Sequence, residues 1–219
     1  MSEITVTAFR WVPPFAQGLV RDLRVRWALE EAGLVYKEHL IGSADQNTPV
    51  YRQRQPFGQV PVLEQDGLVI FESGAIVLHI AEQSPVLLPS AVEARLRARS
   101  WMFAALSTVE PPILALNVLG MKAPTNDGVV PTRDQVAGRV DQRLDSLATF
   151  LDGKQFLEGD FSAADLLMTT VLRVLRDTDR VASRPVLRDY QARCEARSAF
   201  QRSLAAQMAT FARHAPANA

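Results

Sequence analysis

The first half of the chain switches between the hydrophobic period of a strand and that of a helix. Residues 4–9 alternate apolar and polar positions, which predicts a strand. Residues 19–32 carry an apolar stripe at helical spacing that ends at Gly33, and residues 35–41 predict a second strand. Residues 42–56 indicate a loop with one short helix. The chain therefore begins as a strand, a helix and a strand.

The stretch from Phe57 to Ile80 has the most specific pattern. Pro61 precedes an apolar run, where a strand can begin without the missing N–H group. Asp66-Gly67 lies between two apolar runs and predicts a two-residue hairpin turn. Helical spacing follows the second strand, with Ser73 at the predicted N-cap. The first backbone N–H groups of that helix would then face an anion.

Every strong pattern beyond residue 91 is helical. Residues 91–110 are amphipathic, and Pro111-Pro112 should kink or end that helix. Residues 119–131 predict a loop, after which Thr132 and Gln135 predict a capping box. Ser84–Ser90, with two prolines, predicts a linker between the mixed first half and the helical second half.

A second capping pattern occurs at residues 161–166. Ser162 is followed three residues later by Asp165, and Phe161 and Leu166 occupy the positions of a hydrophobic staple. These features mark a helix N-terminus. We therefore expect Asp165 to stabilise the fold and not to act in catalysis.

Several of these patterns resemble the cytosolic glutathione S-transferase family. Val60-Pro61 is similar to the cis-proline that opens the third strand of that family, and Glu72-Ser73 to the pair that begins the next helix. The Ser162 capping pattern resembles that of the family's buried helix six, and residues 193–200 resemble its penultimate stretch, with serine in place of the common proline.

The resemblance covers nearly the whole chain and implies its architecture. The expected fold class is α/β plus all-α, a thioredoxin-like N-terminal domain followed by an all-helical C-terminal domain. The expected boundaries are 1–83 for the glutathione-binding domain, 84–90 for the linker and 91–219 for the helical domain. A homodimer is also implied, because the family pairs its N-terminal domain with the helical domain of a partner.

The same resemblance assigns a glutathione site by position. The Ser73 hydroxyl and N–H groups would bind the γ-glutamyl carboxylate, and Glu72 would stand near the ammonium group. The backbone of Val60, held by Pro61, would pair with the cysteinyl unit, and the Gln59 side chain would reach the glycyl side. Glutathione is thus the expected co-substrate.

The group that activates the thiol is not identifiable from the sequence. A free thiol has a pKa of about 8.5, so little of it is thiolate at neutral pH. The family usually places a Tyr, Ser or Cys between the first strand and helix, but residues 9–19 contain no hydroxyl and no thiol. Substitutes are the Gln17 side chain, the N–H groups of Gly18 or Leu19, and the charges of Arg10 or Arg21.

The leading interpretation is a glutathione S-transferase that joins glutathione to an apolar electrophile. Trp11, Phe15, Phe103 and Leu106 are the candidate walls of the second-substrate pocket. Two alternatives stay open: a glutathione-dependent isomerase or peroxidase on the same fold, and a non-catalytic transferase-like binding or stress-response protein. Retained glutathione binding without conjugation would identify the last.

The composition limits the classes of binding partner and the cellular compartment that we expect for this protein. Lysine plus arginine and aspartate plus glutamate both number 24, so a net charge of zero argues against nucleic acid or an anionic membrane as the main partner. One cysteine and an N-terminus unlike a signal peptide favour the cytoplasm. No apolar stretch stands out as a membrane span, and three scattered histidines indicate no metal site.

Overall fold

The computed structural model describes residues 3–121 and 129–216. By internal packing the chain divides into two units, one formed by Met1–Leu88 with Ala196–Ala219 and the other by Pro89–Glu195. The sequence predicts that the N-terminal domain ends at residue 83 and that the C-terminal helix belongs to the helical domain. The packing differs on this point, because the last helix groups with the first unit.

The first unit is built on a four-stranded mixed sheet. Its strands are β1 (Ile4–Phe9), β2 (Lys37–Ile41), β3 (Val62–Gln65) and β4 (Leu68–Phe71), in the order β2-β1-β3-β4. β1 is parallel to β2 and antiparallel to β3. β3 and β4 form the expected hairpin, in which Asp66 and Gly67 both take positive φ values of 51° and 84°.

Helices α1 (Asp22–Ala32), α2 (Pro49–Arg54) and α3 (Ser73–Ala81) complete the N-terminal part of this unit. α1 packs against β1 and α3 and ends at Gly33, whose φ of 67° is the left-handed conformation that glycine adopts without strain. It begins three residues later than the apolar stripe predicts, because residues 17–21 form turns. The β-α-β and β-β-α order follows the prediction.

The last helix of the chain, α9 (Ser198–Arg213), belongs to the first unit because its apolar face packs on α1. The rings of Trp27 and Phe200 meet edge to face with centroids 4.8 Å apart. Arg197 donates two hydrogen bonds to the carboxylate of Glu31, at 2.6 and 2.8 Å. These contacts explain why residues 196–219 do not group with the helices that precede them in sequence.

The second unit is helical. Its helices, numbered after α3 in chain order, are α4 (Val92–Ala104), α5 (Glu110–Met121), α6 (Val129–Leu151), α7 (Ala163–Leu172) and α8 (Pro185–Glu195). All ten residues of α7 are buried, so this helix forms the centre of the unit. Its N-terminus carries the predicted capping box of Ser162 and Asp165.

Two details of the helical prediction need correction. Pro111 and Pro112 do not end the helix; a π-helical turn at Ala105–Val109 precedes them and changes the hydrogen-bond register, so that both prolines fall in the first turn of α5. The capping box at Thr132 is wrong because α6 already begins at Val129, and the first turn of a helix tolerates Pro131. Of the predicted loop 119–131, both ends are helical and 122–128 lie outside the described residues.

The continuous helical run Val92–Gly120 is long and apolar enough to cross a membrane by length and composition, and one third of its most apolar window is buried. The sequence analysis did not anticipate such a run. A core helix of a soluble protein passes the same test, so this observation alone is weak evidence for a membrane span.

Candidate functional site

The candidate site lies in the first unit, where β4 gives way to α3. β4 extends to Phe71, so Glu72 alone connects the strand to the helix, and it does so with φ 71° and ψ 114°. A positive φ is uncommon for a residue with a side chain, and strained backbone conformations cluster at functional sites. The Glu72 side chain is exposed, whereas Ser73 is only 4% exposed.

Ser73 is the first residue of α3 and not its N-cap, which corrects the prediction. Glu72 occupies the N-cap position and makes no side-chain capping bond. Its carbonyl accepts the N–H of Ile76 at 3.0 Å, so the N–H groups of Ser73 to Ala75 precede the first intrahelical bond. These groups and the helix dipole give the site its positive character.

The Ser73 hydroxyl has a partner that the sequence analysis missed. Arg24, on α1 and only 3% exposed, places its Nη1 atom 3.2 Å from the Ser73 Oγ atom and donates a hydrogen bond to it. A charged side chain on the apolar stripe of α1, one turn before Ala28, was the available clue. Pairing it with a residue 49 positions away required the fold.

The segment that precedes β3 is fixed by side chains from α2 and the turn before it. The Tyr51 hydroxyl donates to the Gln59 carbonyl at 2.6 Å, and the Gln46 amide donates to the Gly58 carbonyl, also at 2.6 Å. Burial raises the pKa of Tyr51 to about 12, so its hydroxyl keeps the proton that it donates. Gly58 has φ 65°, and a Cβ there would lie 2.6 Å from the Gln46 carbonyl oxygen.

The peptide bond between Val60 and Pro61 is cis, as the resemblance implied. The sheet pairing of β3 begins at Val62, so the backbone of Val60 lies before the ladder with β1 and β4. Gln59 has an exposed side chain, and Val60 is 8% exposed. Pairing of the Val60 main chain with a peptide-like ligand stays a prediction.

The first loop, between β1 and α1, contains hydrogen bonds between its own residues. The Gln17 amide donates to the Val12 carbonyl at 3.0 Å, and the Leu19 N–H group donates to the Ala16 carbonyl at 3.0 Å. Because α1 begins at Asp22, neither Gly18 nor Leu19 lies at its N-terminus, which corrects that part of the prediction. Arg10 directs a guanidinium N–H to the Leu40 carbonyl at 3.3 Å. The thiol-activating group stays unassigned.

The four candidate pocket residues belong to different units, Trp11 and Phe15 to the first and Phe103 and Leu106 to the second. Phe15 is 67% exposed and Phe103 is 63% exposed, whereas Trp11 and Leu106 are half-buried. Their common role in a pocket stays a prediction. Among residues 3–121 and 129–216, no three His, Cys, Asp or Glu side chains lie close enough together to hold a metal ion.

Comparisons with known proteins place this geometry in a family. A sequence model described as the N-terminal domain of glutathione S-transferase matches residues 16–82, which contain α1, the cis-proline segment and α3. Glutathione S-transferase 4 of Zea mays is 31% identical over 193 residues, which cover 83% of this chain and 82% of the maize protein. The chain belongs to the glutathione S-transferase family.

Other relatives agree with this assignment. Glutathione S-transferase F10 of Arabidopsis thaliana is 36% identical to this chain over 132 residues. The matched region covers 56% of this chain and only 60% of the Arabidopsis protein. Maleylacetoacetate isomerase of Rhizobium meliloti is 30% identical over 82% of this chain and 89% of the isomerase. A theta class glutathione S-transferase from Xanthomonas axonopodis, solved with glutathione bound, is 28% identical with a TM-score of 0.77, covering 93% of this chain and 98% of that structure.

These comparisons confirm the predicted family and fold class. The first unit contains the thioredoxin-like domain, and the second contains the helical domain of a cytosolic-type transferase. The relatives named glutathione S-transferase also support the predicted glutathione transferase activity.

Proposed function

We propose that this protein binds glutathione at the N-terminus of α3 and transfers it to an apolar electrophile. The observation that carries the proposal is the position of Ser73 as the first residue of α3, beside the cis-proline segment. A helix N-terminus binds a carboxylate through its N–H groups and dipole. The relatives named glutathione S-transferase and the related structure with glutathione bound support the same assignment.

Each part of glutathione has a proposed partner. The Ser73 hydroxyl and N–H groups bind the γ-glutamyl carboxylate, and the exposed carboxylate of Glu72 lies beside the ammonium group. The Val60 backbone pairs with the cysteinyl unit in the manner of a strand, and the Gln59 side chain binds the glycyl side. Pro61 holds this backbone in place at the start of β3.

In the proposed reaction, the glutathione thiol loses its proton to solvent and the thiolate sulfur forms a bond to the electrophilic carbon. Either a leaving group departs from that carbon with its bonding electrons, or a π bond to the carbon opens and its electron pair takes up a proton from solvent. The electrophile would contact Trp11, Phe15, Phe103 and Leu106, and the exposure of Phe15 and Phe103 is consistent with an apolar partner. We also propose Gln17 as a glutathione-binding residue of the first loop, where its side-chain amide donates to the Val12 carbonyl.

Replacing Ser73 with Ala should weaken glutathione binding about 10- to 100-fold, because hydrogen bonds to a charged group contribute about 1.5–3 kcal/mol. Isothermal titration calorimetry measures the change. Ser43→Ala is the matched control, since Ser43 is exposed and lies in the same unit. Equal affinities for wild type and Ser73→Ala would exclude Ser73 from the site.

Glutathione-dependent isomerisation is a second candidate function, favoured by the isomerase relative that covers 82% of this chain. Both reactions begin with addition of the thiolate to an electrophilic carbon, and they differ in whether the sulfur leaves again. Assays with a chloronitrobenzene and with a cis-configured unsaturated diketo acid separate the two. Glutathione binding without turnover of either compound or of a peroxide would favour a binding protein.

We also propose that the protein is a cytoplasmic homodimer. Large apolar side chains stay exposed on both units, including Phe57, Phe71, Leu96 and Phe103. Leu96 lies between Arg95 and Arg97 on α4, and is 56% exposed. Exposed apolar surface of this kind marks protein interfaces.

Sedimentation at micromolar concentration should show a dimer. Leu96→Glu should shift the protein towards monomer, because a buried unpaired charge in an interface is costly. Val35→Glu is the control, since Val35 is 84% exposed on another part of the surface. A wild-type monomer would overturn the proposed assembly.

A further inference from the structure

Arg24 is a buried cation directly behind the proposed glutathione site. Its side chain is removed from water almost completely, with 3% of the residue exposed, although burying a guanidinium is costly. Arg26, two residues later on α1, is also buried but contacts Asp22 and Glu38. Arg24 instead reaches across to α3 and contacts the Ser73 hydroxyl.

The chemistry of this contact fixes the direction of the hydrogen bond. A guanidinium has donors and no acceptor, so the Ser73 Oγ atom must accept from Arg24. The hydroxyl proton of Ser73 therefore points away from Arg24 and is available to another acceptor. The same contact brings a full positive charge to the end of α3 where the helix dipole is already positive.

We propose that Arg24 is a positioning residue for the γ-glutamyl carboxylate of glutathione. It acts through Ser73, by holding the hydroxyl as a donor towards the carboxylate and by adding positive charge behind it. The inference rests on the proposed function, because it concerns the ligand of the same site. Glutathione itself need not contact Arg24.

This role predicts a ligand-dependent effect. An analogue that lacks the γ-glutamyl α-carboxylate, 4-aminobutanoyl-cysteinyl-glycine, keeps the thiol and the glycyl end but offers Ser73 no carboxylate. Arg24 should therefore matter for glutathione and not for the analogue. A purely structural role would change the affinity for both ligands alike, or for neither.

The test measures the affinity of wild type, Arg24→Met and Arg24→Lys for both compounds, by calorimetry or by competition. Arg24→Met should bind glutathione about tenfold or more weakly, as expected for loss of a charge-assisted contact, and should change the affinity for the analogue less than about twofold. Arg24→Lys keeps the positive charge, so its affinity for glutathione should lie between that of wild type and that of Arg24→Met. Arg202→Met removes an exposed arginine of the same unit and should resemble wild type.

A double-substitution cycle gives a second measurement that does not depend on the stability of Arg24→Met. If Arg24 acts through the hydroxyl, Arg24→Lys should weaken glutathione binding in wild type and have a smaller effect when Ser73 is already Ala. In steady-state kinetics the KM for glutathione should rise with little change in kcat.

The possible failures are distinguishable. A wild-type protein that does not bind glutathione would overturn the proposed function. Wild type that binds glutathione and loses affinity in Ser73→Ala, but keeps it in both Arg24 variants, would overturn only the role of Arg24. Equal losses for glutathione and the analogue would also overturn it.

Discussion

Asp165→Ala is expected to lower the free energy of unfolding by about 4 kcal/mol or more, because four buried donors would each lose an acceptor at a cost of about 1–3 kcal/mol. The Leu157 N–H and the Tyr190 hydroxyl both donate to Asp165 Oδ1 at 2.9 Å. The Ser162 N–H and hydroxyl groups donate to Oδ2 at 2.9 and 3.1 Å, and Asp165 itself is fully buried. Urea or thermal unfolding measures the loss.

Asp165→Asn tests whether both carboxylate oxygens of Asp165 are needed as acceptors. An amide matches the carboxylate in shape but keeps only one acceptor oxygen, so either the donors at Oδ1 or those at Oδ2 would face an NH₂ group. Its destabilisation should lie between wild type and Asp165→Ala. Asp152→Ala, at an exposed turn of the same unit, is the control and should change stability little. An Asp165→Ala protein with wild-type stability would show that the network contributes nothing.

The stability effect should also depend on pH. Burial raises the pKa of Asp165 above its ordinary value of 3.8. The hydrogen bonds from Leu157, Tyr190 and Ser162 lower the pKa, but burial has the larger effect. A carboxyl group with a raised pKa holds its proton more tightly in the folded chain, so its contribution to stability is fully present below pH 3.8 and decreases as pH rises through the raised pKa. The difference between wild type and Asp165→Ala should therefore be larger at about pH 4 than at about pH 7.

Local sequence patterns predicted the parts of this network that lie close together in the chain. The pairing of Ser162 with Asp165 follows from a three-residue spacing, and the structure has both bonds of the box. The contact with Tyr190 spans 25 positions and brings α8 to α7, which spacing alone does not indicate. The sequence therefore predicted a helix cap, whereas the structure shows a buried junction between two helices.

The candidate site also contains features that the sequence predicts and contacts that only the fold reveals. The hairpin at Asp66-Gly67 follows from turn chemistry, and the resemblance supplied the cis bond at Pro61. Arg24 was missed because its partner lies on another helix. Ser73 is the first helical residue and not the N-cap because Glu72 alone, with its φ of 71°, connects β4 to α3. Neither the sequence nor the structure assigns a thiol-activating group in the first loop, which has no hydroxyl and no thiol between residues 9 and 19.

Asp22→Ala is the other substitution expected to have a large effect, because it breaks a buried ion pair. Asp22 and Arg26 are both about 1% exposed, with Arg26 Nε 2.6 Å from Asp22 Oδ2. Gln207 of α9 donates to Asp22 Oδ1 at 2.8 Å, so the same carboxylate joins α1 to α9. Removing one partner leaves a buried charge with less compensation, which typically costs about 3–5 kcal/mol.

The double variant Asp22→Ala/Arg26→Met tests the cause of this loss. If the cost comes from the uncompensated guanidinium, the double variant should be more stable than Asp22→Ala alone, because an apolar side chain of similar length tolerates burial. Glu30→Ala, which breaks the partly exposed pair with Arg202, is the control and should cost about 0–1 kcal/mol. Equal unfolding free energies for the single and double variants would mean that Glu38, 2.5 Å from Arg26 Nη1, is a sufficient partner for the buried guanidinium. The loss in Asp22→Ala would then come from the broken contact between α1 and α9.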